Sequence, residues 1–528
     1  MSKQVKRVVI VGGGSAGWLT AGLIAADYRR DPASDGGPAL ELTLVESPAV
    51  GPIGVGEGTW PSMRDTLRRI GVSETDFIRE CDASFKQGSK FVGWVDGGAA
   101  DHYYHPFTLP QGYGEADLVA QWQRAHATMP YAELVCYQPR LCEHGRAPKQ
   151  VTTPEYAAVA NYAYHLDAVK IGQFLQRHCT TRLGVRHIVD HVTTIESAAD
   201  GDIAALLTAA HGRIEGDLYI DCTGIASLLL GAHYAIPLLP VREVLFNDAA
   251  LAVQVPYAQP DAPIASHTLS TAQSAGWIWD IGLQSRRGVG HVYSSAHTSD
   301  EAAAQALRSY VAASLATAGA AAEGTRMAEA LTPRKLSFQP GYRQRFWHRN
   351  CVAVGLSAGF VEPLEASALA LVEFSATMIS EQLPATRELM DLVAARFNDA
   401  FRYRWERTID FLKLHYVLSR RSDSAYWSDH RAPASRSARL AELLSLWRHH
   451  APSRHDFHRI EEIFPAASYH FVLYGMGFRP EPQAGAHAAA RAEGYFSEAA
   501  ALGKSMLAGL PTNRALLEHL KTHRLQKI

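Results

Sequence analysis

The chain has 528 residues, 47% of them apolar, and a formal net charge of -2. This is enough apolar mass for a large core in two or three packed units, and too balanced a charge for a general polyanion-binding role such as nucleic-acid binding. Six scattered cysteines without a Cys-x-x-Cys pair argue against a disulfide framework or zinc ribbon, and no stretch approaches the roughly 20 apolar residues that cross a bilayer, so a cytoplasmic protein with reduced thiols and no membrane contact is expected.

In chain order, the apolar run 8–11 predicts a central parallel strand, 18–28 a helix, and 40–46 a second strand after a long loop at 29–38. Pro61 marks the start of a helix that continues through 64–70. Two extended segments around Asp200-Gly201-Asp202 predict a hairpin within 191–213. Segments 218–221 and 352–355 are further buried-strand candidates, and the Ala-rich stretch 302–330 predicts a surface helix pair. From 386 onward the pattern is mostly helical, with a polar, turn-rich interruption at 419–436.

The first strand runs into Gly12-Gly13-Gly14-Ser15-Ala16-Gly17, which opens a helix, and that context makes the glycine spacing meaningful. Gly12 permits a tight turn, Gly14 lets backbone approach a pyrophosphate, and Gly17 lets helix and strand pack closely. Ser15 and Ala16 begin the helix whose positive end meets the phosphate charge. Glu46, at the end of the second strand, is placed to accept from the adenosine ribose; it stands 46 − 17 = 29 positions after Gly17, and the loop at 29–38 accounts for the long spacing. Two later small-residue turns follow strands, Asp221-Cys222-Thr223-Gly224 and the run from Gly355 to Gly359. Such turns let backbone approach a ribityl chain or isoalloxazine, which favours FAD over NAD.

Further segments carry a resemblance that covers nearly the whole chain. They are Gly54-Val55-Gly56-Glu57-Gly58-Thr59, Ser84-Phe85-Lys86, Asp101-His102-Tyr103-Tyr104-His105, Tyr164-His165-Leu166-Asp167, Trp277-Ile278-Trp279-Asp280-Ile281 and Pro363-Leu364-Glu365. Together they resemble the flavin-dependent halogenases of the tryptophan-halogenase type. The resemblance implies an α/β fold: an FAD-binding Rossmann-like core of the aromatic monooxygenase type over 1–385, with substrate-binding segments interleaved at about 95–160 and 240–340, and a mostly helical substrate or lid region over 386–528. It implies that a separate flavin reductase supplies FADH2, which reacts with oxygen to give a hydroperoxide that oxidises halide. Hypohalous acid then reaches Lys86 through a tunnel, Lys86 positions it by hydrogen bonding or carries it as a haloamine, and an electron-rich aromatic ring is halogenated, with Glu365 taking the ring proton. Residues 54–59 resemble the family's strap, with Gly54, Val55, Gly56 and Glu57 at the cofactor, Trp277 and Trp279 the wall between flavin and substrate, and His105, Phe107 and Pro363 the substrate pocket. A homodimer would be ordinary for this family.

The residue types suit that chemistry independently. A lysine presents donors to a small oxidant, and a carboxylate can stabilise a cationic ring and accept its proton. An ordinary solvated lysine is the bland alternative for Lys86, and a helix-capping carboxylate for Glu365. Lys90 is read as structural.

The sequence also departs from the family pattern. Glu365 is followed by Ala366-Ser367-Ala368, so the halide amides would belong to Ser367 and Ala368, with a methyl where glycine is usual. Bromide is therefore expected to serve at least as well as chloride. Of the amino-acid clamp only Tyr469 remains; His470 and Met476 take the other places. Indole, a substituted indole, another electron-rich aromatic and a peptide- or carrier-bound aromatic all stay open as substrates. A flavin-dependent aromatic monooxygenase and a catalytically silent flavin-binding protein are the competing functions. The histidine clusters show no metal-binding frame, so no metal is expected. Gly355-Leu356-Ser357-Ala358-Gly359 matches a nucleophile elbow in letters, but the flavin reading already accounts for it.

Overall fold

The computed structural model describes residues 3–28, 40–49, 51, 56–317, 319, 321–459, 462–481 and 489–527. The expected loop at 29–38 lies outside them. The chain divides into two compact units, each assembled from separated stretches. The first comprises Met1–Cys81, Leu166–Pro240 and Gln339–Trp405; the second comprises Asp82–His165, Val241–Phe338 and Glu406–Ile528.

The first unit is built on a six-stranded sheet in the order Trp347–His348, Cys351–Ala353, Leu218–Asp221, Arg7–Val11, Glu41–Glu46, Arg186–Val189. Every neighbour pair is parallel except the first. Arg7–Val11 sits inside this sheet and has Val8, Val9, Ile10 and Val11 all buried, as a strand covered on both faces requires. The helix Ser15–Asp27 follows, buried continuously from Gly17 to Ile24, and packs against the helices Ala168–Arg182 and Ser367–Glu381. A helix apolar on all sides fits only such a sandwiched position. The expected hairpin forms between Val192–Ser197 and Ile203–Thr208, with Gly212–Glu215 added as a third strand.

The second unit is built on a seven-stranded sheet in the order Arg334–Ser337, Ala249–Pro256, Arg286–Tyr293, Gly276–Gly282, Thr268–Gln273, Gly88–Val92, His102–Pro106. Only the pairing of Thr268–Gln273 with Gly88–Val92 is parallel. The Ala-rich stretch forms two helices, Asp300–Thr317 and Ala321–Ala330. Ala303, Leu307, Val311 and Leu315 recur every fourth residue and bury one stripe against Leu251, Val253, Ile278 and Val289 of the sheet.

The polar interruption at 419–436 is more ordered than its composition suggests. It contains the helix Ala425–Arg431, with Tyr426, Trp427 and His430 buried. Its polar groups are satisfied from elsewhere in the unit: the Ser419 hydroxyl donates to the Trp94 carbonyl at 2.7 Å, the Trp427 indole donates to Gln273 O at 3.0 Å, and Arg421 lies over the Trp427 ring. Local composition carries no trace of these distant partners. Among the described residues no helix is long and apolar enough to cross a membrane, and no group of His, Cys, Asp and Glu could hold a metal ion.

Candidate functional site

In the first unit the glycine turn is tightly determined. Gly12 has φ +115, and a Cβ there would lie 2.1 Å from the Cys222 carbonyl oxygen. A Cβ on Gly17 would lie 1.9 Å from Gly12 O, so the helix can approach the strand only as glycine. Gly14, by contrast, would meet nothing within 4 Å. It caps the helix that begins at Ser15, with no side-chain cap and no acid in the first turn. The positive helix end beside open backbone is what a pyrophosphate needs, so this cradle fits the phosphate end of FAD. The Glu46 carboxylate pairs with His187 Nε2 at 2.9 Å. Gly54 and Val55 lie outside the described residues; Gly56 and Glu57 are described, and desolvation lifts the Glu57 carboxyl to about 7.

Asp221 locks the second turn. Its carboxylate accepts from the Thr223 hydroxyl at 2.6 Å and from the amides of Leu229 and Leu230 at 2.9 and 2.8 Å. In the third turn the strand stops at Ala353, where Gly355 turns to φ +73. The buried Ser357 hydroxyl hydrogen-bonds the carbonyls of Asp221 and Val354. It is engaged with backbone and does not form a nucleophile elbow.

Glu365 stands on an unusual backbone. Glu365 (φ 63, ψ 5) and Ala366 (φ 54, ψ 42) are consecutive left-handed residues, and neither is glycine. Each such conformation costs on the order of 1–3 kcal/mol and persists only where its surroundings impose it. The Trp60 indole N–H donates to the Glu365 carbonyl at 2.7 Å. Pro363 precedes the turn, and Glu365 is buried. Ser367 and Ala368 then begin the helix Ser367–Glu381, again with no side-chain cap and no acid in the first turn. On the same helix, buried Glu373 accepts from Thr66 Oγ1 at 2.5 Å and Ser62 Oγ at 3.2 Å, and burial pushes its carboxyl up to about 8.

In the second unit Lys86 is only 1% exposed. It ends the strand Ser84–Lys86, which pairs antiparallel with Ala163–Leu166 in the register Ser84↔His165, Phe85↔Tyr164, Lys86↔Ala163. Alternation puts Phe85 on one face, where its ring meets Tyr162 at 5.3 Å, and Ser84, Lys86 and His165 on the other. Lys86 Nζ lies 5.3 Å from the centroid of the Phe107 ring. Burial, with Lys86 nearby, holds the His165 imidazole well below its usual range. Lys90 differs: it is 18% exposed, forms an ion pair with Glu143 and lies over the Tyr104 ring.

The aromatic neighbourhood is dense. His105 Nε2 bonds Ser468 Oγ at 2.9 Å, and its ring faces Phe411 and Phe471. Tyr469 and His470 lie buried on the helix Ala466–Gly475. The Tyr469 ring packs against Phe411, Trp447 and Phe457, and burial raises its phenol far above the usual range. Burial lowers His470 to about 4, and its Nε2 lies 2.7 Å from Pro452 O. Trp277 and Trp279 share one face of Gly276–Gly282, with rings 6.4 Å apart. Trp277 also packs with Trp94, while the Trp279 ring covers Gly290, where a Cβ would lie 2.1 Å from Cζ2.

With this geometry in place, comparison with known proteins identifies the family. The tryptophan halogenase family model matches residues 7–492. The chain belongs to the tryptophan halogenase family. It is 31% identical to the tryptophan 6-halogenase of Streptomyces toxytricini, over 91% of this chain and 92% of that one. It is 30% identical to the tryptophan 7-halogenase of Lentzea aerocolonigenes, over 91% of each. A crystal structure of a tryptophan halogenase from Shewanella frigidimarina superposes with a TM-score of 0.93 at 48% identity, covering 100% of this chain and 99% of that one.

Membership makes this a flavin-dependent, oxidoreductase-type halogenase with a Rossmann-like FAD-binding fold. Sequence reasoning missed Trp60, Glu373 and the left-handed turn at Glu365. No spacing rule announces a left-handed glutamate, and the partners of Glu373 lie about 300 positions away, at |i−j| of 311 and 307.

Proposed function

We propose that this enzyme uses FADH2 and oxygen to oxidise bromide or chloride, and delivers hypohalous acid through a tunnel to Lys86 for electrophilic halogenation of an indole or another electron-rich aromatic. The observation that carries this reading is the burial of Lys86 beside Phe107 on a face of its strand separate from the Phe85 core contact.

In this reading Gly12, Gly14, Ser15, Ala16, Gly17 and Glu46 hold the adenosine diphosphate portion of FAD. Gly54, Val55, Gly56 and Glu57 of the strap, with the turns at Gly355 and Gly359, bind its remainder. The bound reduced flavin, with oxygen, supplies the two-electron oxidation of halide. The amides of Ser367 and Ala368, at an uncompensated helix N-terminus, hold the halide. Lys86 donates a hydrogen bond to the oxygen of hypohalous acid and orients its halogen. His105, Phe107, Pro363, Tyr469 and His470 border the aromatic substrate. The ring carbon attacks the halogen, the oxygen leaves as water after gaining a proton, and Glu365 accepts the ring proton. Trp277 and Trp279 wall the passage against larger molecules. Residues 1–385 provide the flavin core and interleaved substrate segments, and 386–528 cover the substrate. The enzyme works in the cytoplasm as a homodimer and draws FADH2 from a separate reductase.

The aromatic residues around His105 and the buried, neutral His470 support an aromatic substrate without an amino-acid clamp. The test is product analysis by mass spectrometry after incubation of the enzyme with FAD, a flavin reductase, oxygen, bromide and indole. Bromoindole is expected, and Lys86→Ala should abolish it while FAD binding persists. Bromination retained by that variant would remove Lys86 from the reaction. Oxygenated product formed without bromide would establish the monooxygenase alternative.

A further inference from the structure

We propose that Trp60 is a positioning residue for Glu365, and that Glu373 anchors the helix following Trp60 so that the indole stays in place. The inference rests on the reading of Glu365 as the proton acceptor and adds how that carboxylate is held.

The argument begins with strain. Glu365 and Ala366 both occupy the left-handed region, where a Cβ crowds the backbone. The helix that follows does not impose this turn from its own end: Ala366 is its N-cap, and an alanine side chain has no atom to accept from the helix amides. A right-handed extension of that helix would relieve the strain and swing the Glu365 side chain to another direction. The Ala366 amide donates to the Pro363 carbonyl at 3.0 Å, and a further restraint comes from a segment about 300 residues earlier. Trp60 Nε1 donates to the Glu365 carbonyl at 2.7 Å, at |i−j| of 305, and fixes the peptide orientation that the left-handed turn creates.

Trp60 is itself fixed on two sides. Its ring meets Phe374 edge-to-face at 6.3 Å, and Arg404 covers Phe374. Pro61 then starts the helix Ser62–Arg69, whose Ser62 and Thr66 lie one turn apart on one face. Both hydroxyls bond Glu373, which is 2% exposed and directly precedes Phe374. Adjacent residues of the helix beginning at Ser367 therefore hold the indole and the helix that follows it. The same helix starts at the strained turn, so the clamp and the turn share one rigid support.

The test compares Trp60→Phe, Ala366→Gly and the double variant as full-length enzyme, using indole and bromide as probes. Removing the indole N–H while keeping a ring should lower kcat for bromoindole about tenfold, with KM for indole and FAD affinity unchanged. A general packing defect would move all three together. Glycine enters the left-handed region without strain, so Ala366→Gly should keep parental turnover, and the double variant should recover to within about threefold of it. If Trp60→Phe does not fold, the double variant alone carries the comparison. Parental kcat in Trp60→Phe, or a double variant as slow as the single one, overturns the proposal. A crystal structure of Trp60→Phe decides the clamp independently of turnover: φ at Glu365 or Ala366 should become negative, and retention of both positive values overturns it. Parental turnover in Glu365→Gln would instead remove the proton-acceptor reading, while the backbone measurement would still decide the clamp.

Discussion

Lys86 and Glu365 are both buried polar groups, yet they are placed by opposite means. Lys86 ends an ordinary strand, and its direction follows from a register in which Phe85 takes the core face. Glu365 sits on a left-handed backbone that its own neighbours do not favour, with an indole from far along the chain on its carbonyl. Ladder register is robust, because a one-residue slip would put Lys86 on the face that Phe85 fills. A strained turn is fragile, because its geometry lasts only while the surrounding packing does. The placement of Lys86 should therefore tolerate neighbouring substitutions better than that of Glu365.

The largest expected effect is that of Lys86→Ala, which should lower halogenation by on the order of 10³-fold or more while flavin fluorescence titration shows unchanged FAD affinity. Glu365→Gln should cost about 10²-fold in kcat, since the amide keeps the shape but cannot accept the ring proton; a rate within about threefold of the parent would exclude that role.

A pH series sharpens the contrast through Glu373. Its folded carboxyl titrates near 8, against an ordinary value of 4.5, so the folded protein keeps a proton that the unfolded chain has released. This contribution is fully present below about 4.5 and is lost as pH rises through about 8. Glu373→Gln should flatten the decline of Tm over that window and make the protein more stable than the parent at pH 8; parallel Tm profiles would show that Glu373 does not titrate there. The smallest effect is expected for Lys90→Ala. Its partly exposed pair with Glu143 should contribute about 0–1 kcal/mol to stability, and halogenation should stay at the parental rate.

The Rossmann-like core was legible because its signals are local. The apolar run at 8–11, the glycines at 12, 14 and 17, and the strand leading to Glu46 each carry their own geometry. Lys86 became legible only with its flanking matches, because a lone lysine gives no sign of burial. The helix Ala425–Arg431 was obscured by its polar setting, since the partners of its Trp427 at Trp94 and Gln273 are remote.

The sequence by itself determined the glycine turn after the first strand, the buried strands at 8–11 and 218–221, and the hairpin around Asp200-Gly201-Asp202. Each depends on periodicity or on the conformational range of a few adjacent residues. Only the tertiary structure decided that Ser357 hydrogen-bonds backbone, that burial raises the Glu373 carboxyl, and that Glu365 turns left-handed beneath Trp60. Desolvation and strain are set by whatever surrounds a residue in space, and those surroundings come from segments hundreds of positions away.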